Sequence, residues 1–134
     1  MARILLIDDD EDFLLILSTA LEKDGHELLA VNSGVEVVRD LRQFKPDLVI
    51  TDIIMPGVTG GGVYHAIREE MGPSLPVIIS SATRMQLKEN DSLLDYSPKP
   101  IDFDQLRETV NRLLKMKSIL HHFYLSQEEE RDLD

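Results

Sequence analysis

The residues of this chain that could do chemistry are acids delivered by strands. Ile4-Leu5-Leu6-Ile7 is an apolar run ending in Asp8-Asp9-Asp10, and Leu48-Val49-Ile50-Thr51 ends in Asp52. Pro56, Gly57 and Gly60 follow, so neither the strand nor its pleat can continue. Acids at strand ends lie at the carboxyl edge of a parallel sheet, where open α/β folds keep their reacting groups. If the two strands are neighbours, Asp8, Asp9 and Asp52 share one crevice. Three carboxylates there repel one another, and a bound cation removes the conflict. Hard oxygen ligands suit magnesium. One carboxylate can then attack phosphorus and form an aspartyl phosphate. Lys99 and the metal would neutralise the phosphoryl oxygens, and the Ser81 hydroxyl would donate a hydrogen bond to one of them.

These groups need elements to hold them. Strands are expected over Arg3 to Ile7, Glu27 to Val31, Leu48 to Thr51 and Pro76 to Ser80, with a very short one at Tyr96-Ser97. Pro98 suits only an edge position. Helices are expected over Glu11 to Lys23 (Leu14, Leu17 and Leu21 inward), over Gly34 to Phe44 (Val35, Val38 and Leu41 inward) and over Gly61 to Met71 (Val63, Ile67 and Met71 inward). Asp10 is the expected cap of the first and Asn32 or Ser33 of the second. The stretch Thr83 to Asp95 has room for one short helix, Arg84 to Leu94. Asp102 with Gln105 resembles a capping box for a last helix from Phe103 to about Leu125. Strands alternating with helices imply an α/β fold with a parallel sheet and right-handed crossovers. Five strands suggest the flavodoxin-like (βα)5 three-layer sandwich, order 2-1-3-4-5. In that order the first and third strands touch, and Ser81 and Lys99 reach the same edge.

With 134 residues, one core is expected. There are no cysteines, which excludes disulfides, thiolate metal sites and a Cys nucleophile. The formal net charge of −11 argues against nucleic-acid binding through the domain body. Met1-Ala2-Arg3 leads straight into a strand-like run without a signal-peptide pattern, and no apolar run reaches membrane-spanning length. A cytoplasmic location is the expectation.

The motifs resemble the receiver domain of two-component response regulators. They are Ile4 to Asp10, Asp52-Ile53-Ile54-Met55-Pro56 with Gly60 beyond, Pro76 to Ala82, and Lys99-Pro100. The resemblance covers residues 3 to about 116, so residues 1–116 are taken as the receiver and 117–134 as an extended helix with an acidic tail. It implies that Asp52 is the phosphoacceptor, and that Asp8, Asp9, Asp52 and the Ile54 backbone carbonyl hold Mg2+. It makes Ser81 the switch hydroxyl, Tyr96 the switch aromatic and Lys99 the phosphate-pairing lysine, with a cis peptide at Lys99-Pro100. The implied partner is a histidine kinase or histidine phosphotransfer protein. Such a domain assists its own phosphorylation and dephosphorylation and is otherwise not an enzyme. In that family the positions of Ile54 and Thr83 tune hydrolysis of the phosphoryl group.

Three departures stand out. The segment from Ser81 to Lys99 is short, Gly60-Gly61-Gly62 opens the third helix, and the last helix runs on. On it, Leu106, Val110, Leu113, Met116, Leu120 and Phe123 recur at steps of three or four. The part beyond Lys115 either pairs with a second copy, leads toward a further segment, or folds back on its own domain, with Glu128 to Asp134 frayed. His121 and His122 point different ways on a helix and are read as surface residues.

Two other readings compete. Ile7-Asp8-Asp9-Asp10 also fits the opening of a haloacid-dehalogenase-type phosphatase, with Asp8 as nucleophile and Asp10 as acid, but nothing beyond Lys99 supplies its later acidic pair. A pseudo-receiver that only binds partners would not need the full set of Asp8, Asp9, Asp52, Ser81 and Lys99.

Overall fold

A computed structural model describes residues 1–55, 58–83, 87 and 89–132, of which 54, 58–60, 124 and 126–132 are described by backbone alone. Five parallel strands form the central sheet: β1 (Arg3–Ile7), β2 (Glu27–Val31), β3 (Leu48–Thr51), β6 (Val77–Ser81) and β7 (Leu94–Pro98). Their order is β2-β1-β3-β6-β7, the expected one. A small antiparallel hairpin, β4 (Ile54–Met55) with β5 (Val58–Thr59), was not foreseen. Four helices occur among the described residues: α1 (Glu11–Lys23), α2 (Val37–Phe44), α3 (Gly60–Met71) and α4 (Phe103–Asp132).

Two apolar layers sandwich the sheet, and strand alternation sorts side chains between them. Leu6, Ile50 and Ile78 meet Leu14, Leu17 and Leu21 of α1 and Leu106, Val110 and Leu113 of α4. Leu5, Ile7, Val49, Val77 and Ile79 meet Val37 and Leu41 of α2 and Val63, Tyr64 and Ile67 of α3. β1 and β3 are buried on both faces, which is why they read as unbroken apolar runs.

Local signals set the helix ends. Asp10 accepts a hydrogen bond from Phe13 N at 3.1 Å and caps α1, and Gly25 takes φ +91° just past its end. Asp102 accepts from Gln105 N at 3.2 Å and caps α4. Pro98 does lie on an edge strand.

Four expectations are corrected. α2 begins at Val37, not Gly34; Ser33 Oγ instead accepts from Val35 N, and Val35 is 67% exposed while Val37 is buried. Gly34 passes close to α3, where a Cβ would lie 2.7 Å from Val63 Cγ2, so only glycine fits there without a shift. The helix expected from Arg84 to Leu94 is not found among the described residues of that span. Residues 84–86 and 88 lie outside the described ones, Leu87 and Glu89 to Leu93 are non-helical, and Leu94 already opens β7. The last strand is five residues long rather than two, because backbone pairing with β6 runs from Val77↔Leu94 to Ser81↔Pro98. α4 continues through Asp132, so the acidic stretch expected to fray is helical as far as that residue. Its Gln and Glu residues are good helix formers.

The segment between β6 and β7 is moored to α3. Asp91 accepts hydrogen bonds from the Tyr64 hydroxyl, from Arg68 Nε at 2.9 Å and, on its other oxygen, from Leu93 N at 2.9 Å. Burial alone would raise the Asp91 pKa, but Tyr64, Leu93 N and Arg68 outweigh it and hold the carboxyl below its ordinary value.

On α4, Met116 and Leu120 pack against the core, and Lys117 Nζ lies 3.6 Å from Asp47 Oδ1. The fold-back reading accounts for this stripe. Ile119 and Phe123 remain 59% and 55% exposed, and His121 and His122 are on the surface.

A chain ended after Lys115 is therefore expected to lose roughly 2 kcal/mol of stability through Met116 and Leu120, read as a lower urea midpoint. Sedimentation of both lengths over a dilution series tests pairing through Ile119 and Phe123. A monomer at every concentration ends the self-pairing idea.

The glycines give a second test. Gly34→Ala is expected to destabilise because its Cβ collides with Val63. At Gly61 a Cβ would meet, among the described residues, Leu87 Cδ2 at an ordinary 3.6 Å. Gly61→Ala is expected to stabilise α3 by up to about 1 kcal/mol, and thermal melts of the two variants should move in opposite directions.

Candidate functional site

Parallel pairing brings the acids together. Ile7 pairs with Thr51 across β1 and β3, so the residues just beyond, Asp8 and Asp52, leave the sheet side by side. Two backbone bonds fix that edge: Asp8 N donates to Val31 O at 3.2 Å, and Asp52 N donates to Ile7 O at 3.0 Å. One carboxylate oxygen from each of Asp8, Asp9 and Asp52 lies within 4.8 Å of the others. Asp8 is buried, Asp52 partly so, and Asp9 is exposed.

Lys99 enters from the far side of the sheet. Its Nζ donates to Asp8 Oδ2 at 2.7 Å and to Asp52 Oδ2 at 3.1 Å. Lys99 N donates to Ser81 O at 2.9 Å, and the Lys99–Pro100 peptide is cis, as expected. The remaining carboxylate oxygens are partly satisfied by the backbone: Asp8 Oδ1 accepts from Asp10 N at 2.9 Å and Asp52 Oδ1 from Ile53 N at 2.6 Å.

Burial pushes the Asp8 carboxyl above its ordinary pKa, and the bonds from Lys99 and Asp10 N only partly offset this. For Lys99, burial would lower the pKa, yet the hydrogen bonds and charges of Asp8 and Asp52 win and raise it. The lysine is thus a standing cation. Three carboxylates against one ammonium still leave the cluster negative. The oxygen donors fit a hard divalent cation.

The other expected residues stand apart from this cluster. Ser81 is buried, and its Oγ accepts from Thr83 N at 3.3 Å. The Tyr96 hydroxyl accepts from Leu87 N at 2.8 Å and donates to Leu87 O at 3.1 Å, holding the β6–β7 connection while its ring packs on the core. Ile54 lies in β4, paired with Thr59, and its side chain is outside the described residues.

One participant was missed by the sequence reading. Lys99 Nζ sits 4.3 Å from the centre of the Phe13 ring, a cation–π contact that fixes the ammonium from below. The only available signal was an aromatic in the first turn after the acidic run, which core packing explains equally well.

The response regulator receiver domain family model matches residues 4–111. The chain is 35% identical to the protein PilH of Pseudomonas aeruginosa over 119 residues, covering 85% of this chain and 98% of PilH. It is 38% identical to the sensor protein GacS of Pseudomonas syringae over 117 residues, 81% of this chain but only 13% of GacS. Among solved structures, a response regulator receiver domain protein from Clostridium thermocellum superposes with TM-score 0.79 at 30% identity, covering 90% of this chain and 99% of that one. The response regulator protein TrrA of Thermotoga maritima, in complex with Mg(2+)-BeF, gives 0.75 at 30% identity over 84% of this chain and 99% of its own. No helix among the described residues is long and apolar enough to cross a membrane. Matched along most of its length in both sequence and fold, the chain belongs to the response regulator receiver domain family of two-component signalling.

Proposed function

We propose that Asp52 accepts a phosphoryl group in a magnesium-dependent reaction, with a histidine kinase or histidine phosphotransfer protein as donor. The observation that carries this reading is the Lys99 ammonium shared between Asp8 and Asp52 inside a three-carboxylate cluster. The Mg(2+)-BeF complex of the similar TrrA supports it. Asp8, Asp9, Asp52 and the Ile54 carbonyl would hold the ion, which when bound supplies positive charge for an anionic donor to approach.

The protein's own part is positional. An Asp52 oxygen forms the O–P bond as the donor's N–P bond breaks and the leaving imidazole takes up a proton from water. Lys99, already charged, moves its hydrogen bonds from the two carboxylates to the phosphoryl oxygens without any proton transfer. Ser81 would exchange its bond with Thr83 N for one to the phosphoryl group. Tyr96 would report that exchange, because its hydroxyl grips Leu87 in the same connection. The output is a changed surface for protein partners in the cytoplasm, not a released product. Residues 117–134 form an extension to the receiver of residues 1–116.

Intact-mass measurement is expected to show one added phosphoryl group after treatment with acetyl phosphate and magnesium, and none without the metal. The Asp52→Asn variant should stay unlabelled; labelling equal to wild type would remove Asp52 from its role.

Ile54 offers no polar group to orient an attacking water, so the phosphoryl group is expected to be long-lived. An Ile54→Asn variant should lose phosphate faster in a chase after donor removal. An unchanged or slower decay would refute this.

A further inference from the structure

We propose that Ser80 is a further residue of the reaction site, a hydroxyl held in reserve for the Asp52 acyl oxygen when the phosphoryl group arrives. This rests on the reading of Asp52 as phosphoacceptor.

Ile50 pairs with Ile78 and Thr51 with Ile79, so one position further Asp52 stands beside Ser80. Leu6, Ile50 and Ile78 share the α1 face, and alternation returns Asp8, Asp52 and Ser80 to that same face two residues on. Adjacent strands lie about 4.8 Å apart, within reach of a serine hydroxyl and an aspartate carboxylate. Ser81, by contrast, falls on the opposite parity and bonds within its own turn.

Ser80 is 1% exposed, and its Oγ has no hydrogen-bond partner among the described residues. It lines a small cavity with Asp8, Asp52, Phe13 and Thr51 that has no room for a water molecule. A buried hydroxyl with neither protein nor water to bond is rare and calls for an explanation. Asp52 Oδ1 accepts from Ile53 N and Oδ2 from Lys99. Once Lys99 turns to the phosphoryl oxygens, the Asp52 oxygen it leaves can accept a hydrogen bond from Ser80. The hydroxyl donates a hydrogen bond and keeps its proton, so the O–P bond formed on Asp52 and the bond broken in the donor are unchanged.

The test compares wild type, Ser80→Ala, Ser80→Thr and Asp52→Asn at saturating magnesium, following uptake from acetyl phosphate by intact mass, with thermal melts of each. Ser80→Ala is expected to melt at or above the wild-type temperature, because it removes an unbonded hydroxyl. Its uptake should slow by roughly tenfold, the scale of one lost hydrogen bond. Ser80→Thr, which keeps the hydroxyl, should restore the rate. Uptake by Ser80→Ala at the wild-type rate overturns the role of Ser80 while leaving that of Asp52 intact. Slow uptake in both Ser80 variants, with lowered melting, also overturns it and makes the residue a packing element. Equal labelling of wild type and Asp52→Asn would overturn the underlying reading instead.

Discussion

Lys99 holds its ammonium between two carboxylates that two different strands deliver, and much of this domain exists to make that possible. Asp8 is almost wholly buried, and a buried carboxylate without a partner is costly. The lysine must therefore arrive from β7 with little freedom. Its backbone N–H is tied to Ser81 O, its peptide to Pro100 is cis, and the Phe13 ring lies under its charge. Each constraint comes from a different element. The site is consequently a property of the assembled sheet edge and of no single motif.

The same edge leads into the connection between β6 and β7. From Ser81 the chain enters a connection that returns as β7, and two contacts govern it. The Tyr96 hydroxyl holds Leu87 by both its N–H and its carbonyl, near the site. Further on, Asp91 is fastened by Tyr64 and Arg68 of α3. The start of α3 meets the same connection, since Gly61 lies against the Leu87 side chain at a distance that would also admit a methyl group.

The third departure is resolved in part. α4 uses Met116 and Leu120 to extend the core beyond the sheet, and Lys117 lies near Asp47 at the start of β3. A helix can serve two faces at once, because residues three or four apart share a stripe while their neighbours point elsewhere. Ile119 and Phe123 stay exposed, Phe123 although it continues the same spacing.

What the sequence determined by itself was whatever depends on local order. The apolar runs of β1 and β3 followed by acids, the caps Asp10 and Asp102, the Leu14-Leu17-Leu21 stripe and the strand order were all readable, because burial on both faces and helical periodicity leave a pattern along the chain. The candidate set of Asp8, Asp9, Asp52 and Lys99 was readable for the same reason. Tertiary structure alone decided the rest. Gly34 admits no larger residue, because Val63, distant in sequence, occupies the space a Cβ would take. β7 extends to Leu94 because β6 offers a pairing edge, which no local propensity of Leu94 and Asp95 announces. Phe13 beneath Lys99 and Ser80 beside Asp52 became visible only once strands far apart in sequence lay next to each other. Contacts between residues 47 or 91 positions apart leave no period to read, and the candidate site of this domain is made of such contacts.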